Sequence, residues 1–238
     1  MNSSSQFYNH CYKALRRSSL FASLDDKIIQ NMLLKFQLET WKRKTPAMDS
    51  LNSLDKFYVI ISGRMRVCRT NQDSGRELTL ALLGPGDVFD VICLLDQREH
   101  KVVVTAIDDL EAIYAPIDDV RRWIQQHPEL NKTFIPYLAR QMRSLEGLAT
   151  DLAIHDTYTR LARLFLRHTK PDPAHNLQLI HDLSHEELAK MIGSVRMVVN
   201  RHLQKLKEEG LVEIHDHHLA VKDWRALLHS TEHHPELK

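Results

Sequence analysis

Between Leu183 and Gly210 the chain reads LSHEELAKMIGSVRMVVNRHLQKLKEEG, two amphipathic helices around a glycine turn of about four residues, a pattern that few folds accept. Ser184 followed by Glu187 is a capping box, in which each side chain satisfies a backbone N–H that the first helical turn leaves open, so a helix over Glu186 to Ile192 is predicted. Leu188, Ile192, Val199, Leu203 and Leu206 then fall on one inward stripe, Ala189 is small enough for close approach, and Gly193 is free to make the sharp turn. Ser194 is the expected N-cap of the second helix and Gly210 its expected C-terminal stop. Arg196, Asn200, Arg201, Gln204 and Lys205 point outward as a polar, cationic face, as on a recognition helix that presents side chains to base edges.

A helical hairpin with a merely solvated basic face has the same pattern, and the next segment argues against it. Leu211-Val-Glu-Ile and Leu219-Ala-Val are two apolar-alternating runs around a polar turn, His215-Asp-His-His, which predicts a β-hairpin. Helix, turn, helix and hairpin together make a winged helix, with His217 and His218 placed to approach a DNA phosphate. A winged helix that only binds protein shares this pattern; selection on DNA distinguishes the two.

The formal net charge of the 238 residues is +1, so any affinity for nucleic acid comes from a local patch rather than a polycationic chain. No apolar run is long enough to span a bilayer, and MNSSSQFYNHCYKALRR lacks the apolar core of a signal peptide, so a cytoplasmic protein without membrane contact is expected. Cys11, Cys68 and Cys93 are too few and scattered for a disulfide framework or a four-thiolate cluster. Twelve of the fifteen histidines stand at or after His155, but no ligand spacing backed by Cys or carboxylate accompanies them, so no metal site is expected.

The first half has a different texture. Ser23-Leu-Asp-Asp opens an amphipathic helix through about Leu34. Short strands follow: Lys56 to Ile61, a Ser62-Gly63 turn, Arg64 to Arg69, Arg76 to Leu83, a Gly84-Pro-Gly-Asp turn, Val88-Phe89, Lys101 to Ala106, and Leu110 to Ala115. Many short strands at regular spacing predict a barrel or jelly roll. That architecture also carries cupin-type metalloenzymes, so a cupin-like enzyme with an appended winged helix is the alternative function. Such an enzyme needs a His-x-His pair and a carboxylate, and the barrel has the single histidine His100. No nucleophile–base constellation is present either, and the chain is not expected to be an enzyme.

Between the halves, a short helix runs from Asp118 to His127 and Pro128 restarts the chain; Pro136 marks the start or kink of the next helix. Leu138, Met142, Leu145, Ala149 and Leu152 then repeat with 4-3-4-3 spacing, the seam of a two-helix coiled coil and the expected dimer interface. Asp156 caps another helix over Thr157 to His168, and Lys170-Pro-Asp-Pro-Ala-His reads as a loop. The expected fold is α+β: a jelly-roll (double-stranded β-helix, cyclic-nucleotide-binding-like) domain over residues 1–127, a dimerisation helix over 128–155, and a winged helix-turn-helix over 156–238.

Barrel, long helix and C-terminal winged helix, in that order, resemble the transcription regulators of the Crp/Fnr (cyclic-AMP receptor protein and FNR) family across nearly the whole chain. The resemblance rests on Gly63 in SGRMRV, the GPGDVF turn at Gly84 to Phe89, the spacing from Pro128 through Asp156 to Arg160, and the helix-turn-helix segment. It implies a homodimer that binds a pseudo-palindromic site on double-stranded DNA and changes recruitment of RNA polymerase. The family's recognition helix usually reads Ser-Arg-Glu-Thr-Val-x-Arg; this chain has Val195-Arg196-Met197-Val198-Val199-Asn200-Arg201. The resemblance therefore implies DNA contacts from Ser194, Arg196, Met197, Asn200, Arg201 and Lys205, with both arginines kept for guanine and the cytosine-binding glutamate replaced by Met197.

The implied effector pocket comprises Gly86, Asp87, Phe89, Asp90, Val91, His100 and Lys101, with Leu145 and Glu146 on the dimer helix. In members that bind cyclic AMP, a Gly-Glu pair holds the ribose, an Arg-Ser pair the phosphate and a Thr-Ser pair the base; the matching pairs here are Asp90-Val91, His100-Lys101 and Leu145-Glu146. Val91 offers no ribose acceptor, and Lys101 or a protonated His100 attracts an anion without the planar fork of arginine. These departures argue against cyclic AMP. An iron–sulfur cluster needs an N-terminal cysteine group where only Cys11 stands, and Asp90 occupies the position of the haem-ligating cysteine of carbon-monoxide sensors. The expectation is an unidentified signal or none.

Overall fold

The computed structural model describes residues 6–48, 54–169, 177–215 and 218–232, and divides into two compact units. One takes the chain up to Thr70 and Ala81–Ser144; the other takes Asn71–Leu80 and the chain from Leu145 onward. The Lys170-to-His175 loop read from the sequence lies outside the described residues.

The elements of the first half are α1 (Gln6–Arg17), α2 (Asp26–Leu33), β1 (Gln37–Trp41), β2 (Lys56–Ser62), β3 (Met65–Thr70), β4 (Glu77–Leu83), β5 (Val88–Phe89), α3 (Val91–Asp96), β6 (Val103–Ala106), β7 (Leu110–Pro116) and α4 (Ile117–Gln126). The strands form two sheets, ordered β1-β7-β2-β5 and β4-β3-β6, the paired layers of a jelly roll. β2 is a run of apolar residues because both of its faces are covered. Phe57, Val59 and Ile61 enter the core shared with Leu15, Leu33 and Val120 of the helices, and burial of each contributes about 1.5–3 kcal/mol. Past Gly63, Arg64 donates to both carboxylate oxygens of Asp108, at 2.6 and 2.8 Å, which ties the β2–β3 turn to the β6–β7 turn.

A 3-10 turn at Pro128–Leu130 leads into α5 (Asn131–Ile154). Pro136 neither starts nor ends this helix. The helix begins five residues earlier, and the one backbone hydrogen bond that proline cannot make is offset by the packing of Phe134 and Tyr137 on either side of it, both in the core. The amphipathic helix expected from Ser23 also begins later, at Asp26, because the Asp25 carboxylate accepts from the Lys27 N–H.

In the second unit, α6 (Thr157–His168) is capped by Asp156, whose carboxylate accepts from the Thr159 N–H at 2.8 Å. Arg160 donates to the carbonyls of Leu152 and His155 at the end of α5, and Asp151, 2% exposed, accepts from Arg163 and Arg167. α7 (His185–Met191), α8 (Arg196–Glu208), the antiparallel pair β8 (Val212–His215) and β9 (His218–Val221), and α9 (Trp224–Glu232) complete the unit. Among the described residues, no helix is long and apolar enough to cross a membrane.

Candidate nucleic-acid interface and effector pocket

Ser184 and Glu187 form the reciprocal capping box at the start of α7: the Ser184 N–H donates to the Glu187 carboxylate at 2.8 Å, and the Glu187 N–H to the Ser184 hydroxyl at 3.2 Å. Gly193 turns the chain with a φ of +65°. Ser194 is not the N-cap of α8. Its N–H bonds back to the Ala189 carbonyl at 2.9 Å, which keeps it in the turn, and Val195 takes the cap position with no side-chain hydrogen bond. Leu188, Ile192, Val199, Leu203 and Leu206 are all buried, so the inward stripe holds the two helices as read from their spacing. Sequence reasoning did not find His202 beneath α8, where its Nε2 stands 2.8 Å from the Thr157 hydroxyl and its ring meets Tyr158 edge-on. A polar residue on an apolar stripe carries no signal of its partner.

On the opposite face Arg196, Met197, Asn200, Arg201 and Gln204 are exposed. Arg196, Asn200 and Arg201 engage no partner among the described residues, whereas Gln204 bonds Glu208. Lys205 is half-buried: its ammonium lies 4.6 Å above the Tyr158 ring and 3.8 Å from Glu209. The β8–β9 hairpin is present, but His215 and His218, read from the sequence as turn residues, end the two strands as a facing pair, and the His218 ring stacks on His181 at 5.3 Å. His217 lies outside the described residues.

Along α5 the seam residues fare differently. Met142 is 70% and Leu145 46% exposed, and Ala149 is exposed too, whereas Leu138 packs partly against the jelly-roll core. Leu152 is half-buried, with its Cδ2 beside Gly193. Ile135, 61% exposed, extends the same spacing by three residues toward the N-terminus, a position overlooked beside Pro136.

Of the residues assigned to the effector pocket, Asp90 and His100 are in direct contact. Asp90 caps α3 by accepting from the Ile92 N–H, and its other carboxylate oxygen lies 2.7 Å from Nδ1 of His100. The Cys93 thiol, 3.3 Å from that oxygen, donates also to the Arg98 carbonyl at 3.0 Å. Asp90 is 3% exposed, so His100 is held by an internal carboxylate rather than open to an anion. Phe89 and Val91 flank Asp90, and Lys101 is exposed. Gly86 and Asp87 close the turn after β4: Gly86 packs against the Ser18 backbone, and Asp87 accepts from the Gly84 N–H while burial pushes its carboxyl above the usual range. Leu145 and Glu146 stand exposed on the part of α5 that belongs to the second unit. An apolar cavity of about 10 Å³, lined by residues such as Phe21, Phe57, Leu94 and Trp123, has room for about one water and no polar group to hold it. Among the described residues, no cluster of three His, Cys, Asp or Glu is arranged to hold a metal ion.

A jelly roll, a long helix and a winged helix with an open cationic recognition face define a DNA-binding transcription regulator. A family model of the Crp-like helix-turn-helix domain matches residues 159–230, and one of the cyclic nucleotide-binding domain matches residues 51–127. The chain is 26% identical over 212 residues to the CRP-like cAMP-activated global transcriptional regulator of Mycobacterium tuberculosis, covering 88% of this chain and 94% of that one. It is 29% identical over 192 residues to the global nitrogen regulator of Nostoc sp., covering 77% and 84%. In fold it is similar to a mutant of CooA from Carboxydothermus hydrogenoformans, with a TM-score of 0.72 at 23% identity, covering 84% of this chain and 90% of that one. The chain belongs to the Crp/Fnr family of transcription regulators. These comparisons give no support to the cupin-like alternative.

Proposed function

We propose that two copies of the chain pair through the exposed seam of α5 and place two α8 helices in successive major grooves of a pseudo-palindromic operator, about 34 Å apart. The observation that carries this reading is the two-sided character of α8: Val199, Leu203 and Leu206 are buried, while Arg196, Asn200 and Arg201 are exposed with no partner among the described residues. Arg196 and Arg201 read guanine, Asn200 reads adenine, and Ser194 lies at the entry to the helix. Lys205 sits one turn beyond Arg201; its Tyr158 and Glu209 contacts make it a phosphate neighbour rather than a base reader. The bound dimer alters recruitment of RNA polymerase. Residues 1–127 act as the sensor, 128–155 as the dimer helix and 156–238 as the reader.

The effector is not cyclic AMP bound in the manner of a Gly-Glu and Arg-Ser pocket. Val91 is apolar and His100 is already matched by Asp90, so an incoming cyclic phosphate would compete with a buried carboxylate 2.7 Å away. Selection of the full-length chain on random duplexes tests the proposal. It is expected to enrich a two-fold motif bound by two chains, unaffected by cyclic AMP; a pool with no motif, or a one-chain complex, would overturn it.

A further inference from the structure

Met197 is 81% exposed, an apolar side chain among the polar residues Arg196, Asn200 and Arg201. It stands in the first turn of α8 beside Arg196, one turn before Arg201, and Val195, 55% exposed, adds a second apolar group at the same end. An unbranched thioether neither donates nor accepts a useful hydrogen bond, so it cannot read the polar edges of a base pair. Only thymine places an apolar group, its C5 methyl, in the major groove.

From this juxtaposition, and resting on the DNA-reading role proposed for α8, we infer that Met197 is a specificity-determining residue that selects a thymine methyl in each half-site. Four residues of helix rise about 6 Å and one base step about 3.4 Å, so the thymine falls within about two base pairs of the guanine read by Arg201. The thioether covers the methyl and is itself removed from water, so the gain is that of burying a carbon group. It amounts to about fourfold in affinity per half-site.

The test replaces thymine by deoxyuridine, which removes the methyl and leaves every hydrogen-bonding group in place. With the whole chain and the duplex it selects, deoxyuridine at that thymine in one half-site is expected to lower affinity about fourfold, and in both half-sites about fifteenfold. The Met197→Ala chain, changed only at an exposed position, is expected to bind the thymine and deoxyuridine duplexes equally. Met197→Glu is expected to shift selection at that position from thymine to cytosine, whose N4 amino group the carboxylate accepts from. If deoxyuridine at every thymine left affinity unchanged while Arg201→Ala still weakened operator binding selectively, the role of Met197 would be refuted and the reading of α8 would stand. If no duplex were selected, both would fall.

Discussion

Replacing Gly193 by alanine loads the turn between α7 and α8 with two separable costs. The first is conformational: the residue has a φ of +65°, and holding a side chain in the left-handed region costs about 1–2 kcal/mol. The second is steric, because a Cβ there would stand 2.8 Å from Cδ2 of Leu152. That atom ends a flexible side chain, so swinging it off its rotamer costs only about 0.5–1.5 kcal/mol. The sum is about 1.5–3.5 kcal/mol, with the backbone the larger part. A double-mutant cycle separates them. In a Leu152→Ala background the steric cost vanishes, and Gly193→Ala is expected to cost only the conformational 1–2 kcal/mol or so. Urea titration followed by fluorescence of Trp224, with Trp41 and Trp123 replaced by phenylalanine, reports the second unit selectively. The turn also sets how α8 leaves α7, so the variant is expected to lose specific DNA affinity more than non-specific affinity. A Gly193→Ala chain within about 0.5 kcal/mol of the parent would show that neither cost operates at this turn.

Two further predictions concern assembly and pH. Met142→Glu together with Leu145→Glu puts like charges into the proposed seam, and sedimentation is expected to show the mass fall from two chains to one; an unchanged dimer would place the interface elsewhere. Burial and the adjacent Arg167 charge hold the His168 imidazole down at about 4, against 6.5 when unfolded. The unfolded chain therefore binds the extra proton first as pH falls, so stability is complete above about 6.5 and declines by up to about 3 kcal/mol toward pH 4. His168→Gln is expected to flatten that part of the pH–stability profile, and an unaltered slope would contradict the assignment.

The output end of the molecule was largely legible in its sequence because periodicity, capping and turn chemistry agree there. Ser184, Glu187, Gly193 and the stripe from Leu188 to Leu206 all specify the same hairpin, and the structure has it. Ser194 misled because serine is a favoured cap, yet its N–H is used by the turn and the helix starts after Val195. In the barrel, the short strands were visible but β1 was not: QLETW alternates weakly, and its partner β7 lies some seventy residues away. α1, α3 and α9 were also unread. The Asp90–His100 pair was hidden for a related reason. Both residues were placed in the pocket separately, and only the turn of α3 brings a buried carboxylate to an imidazole ten positions along the chain.

In the proposed complex Arg196 and Arg201 read bases rather than merely attract phosphates. Affinities of the parent, Arg196→Ala and Arg201→Ala chains for the selected operator and for a scrambled duplex, at one fixed salt concentration, separate the two roles. Each substitution is expected to cost about 1–3 kcal/mol on the operator and far less on the scrambled duplex. Equal losses on both duplexes, or none on either, would contradict base reading.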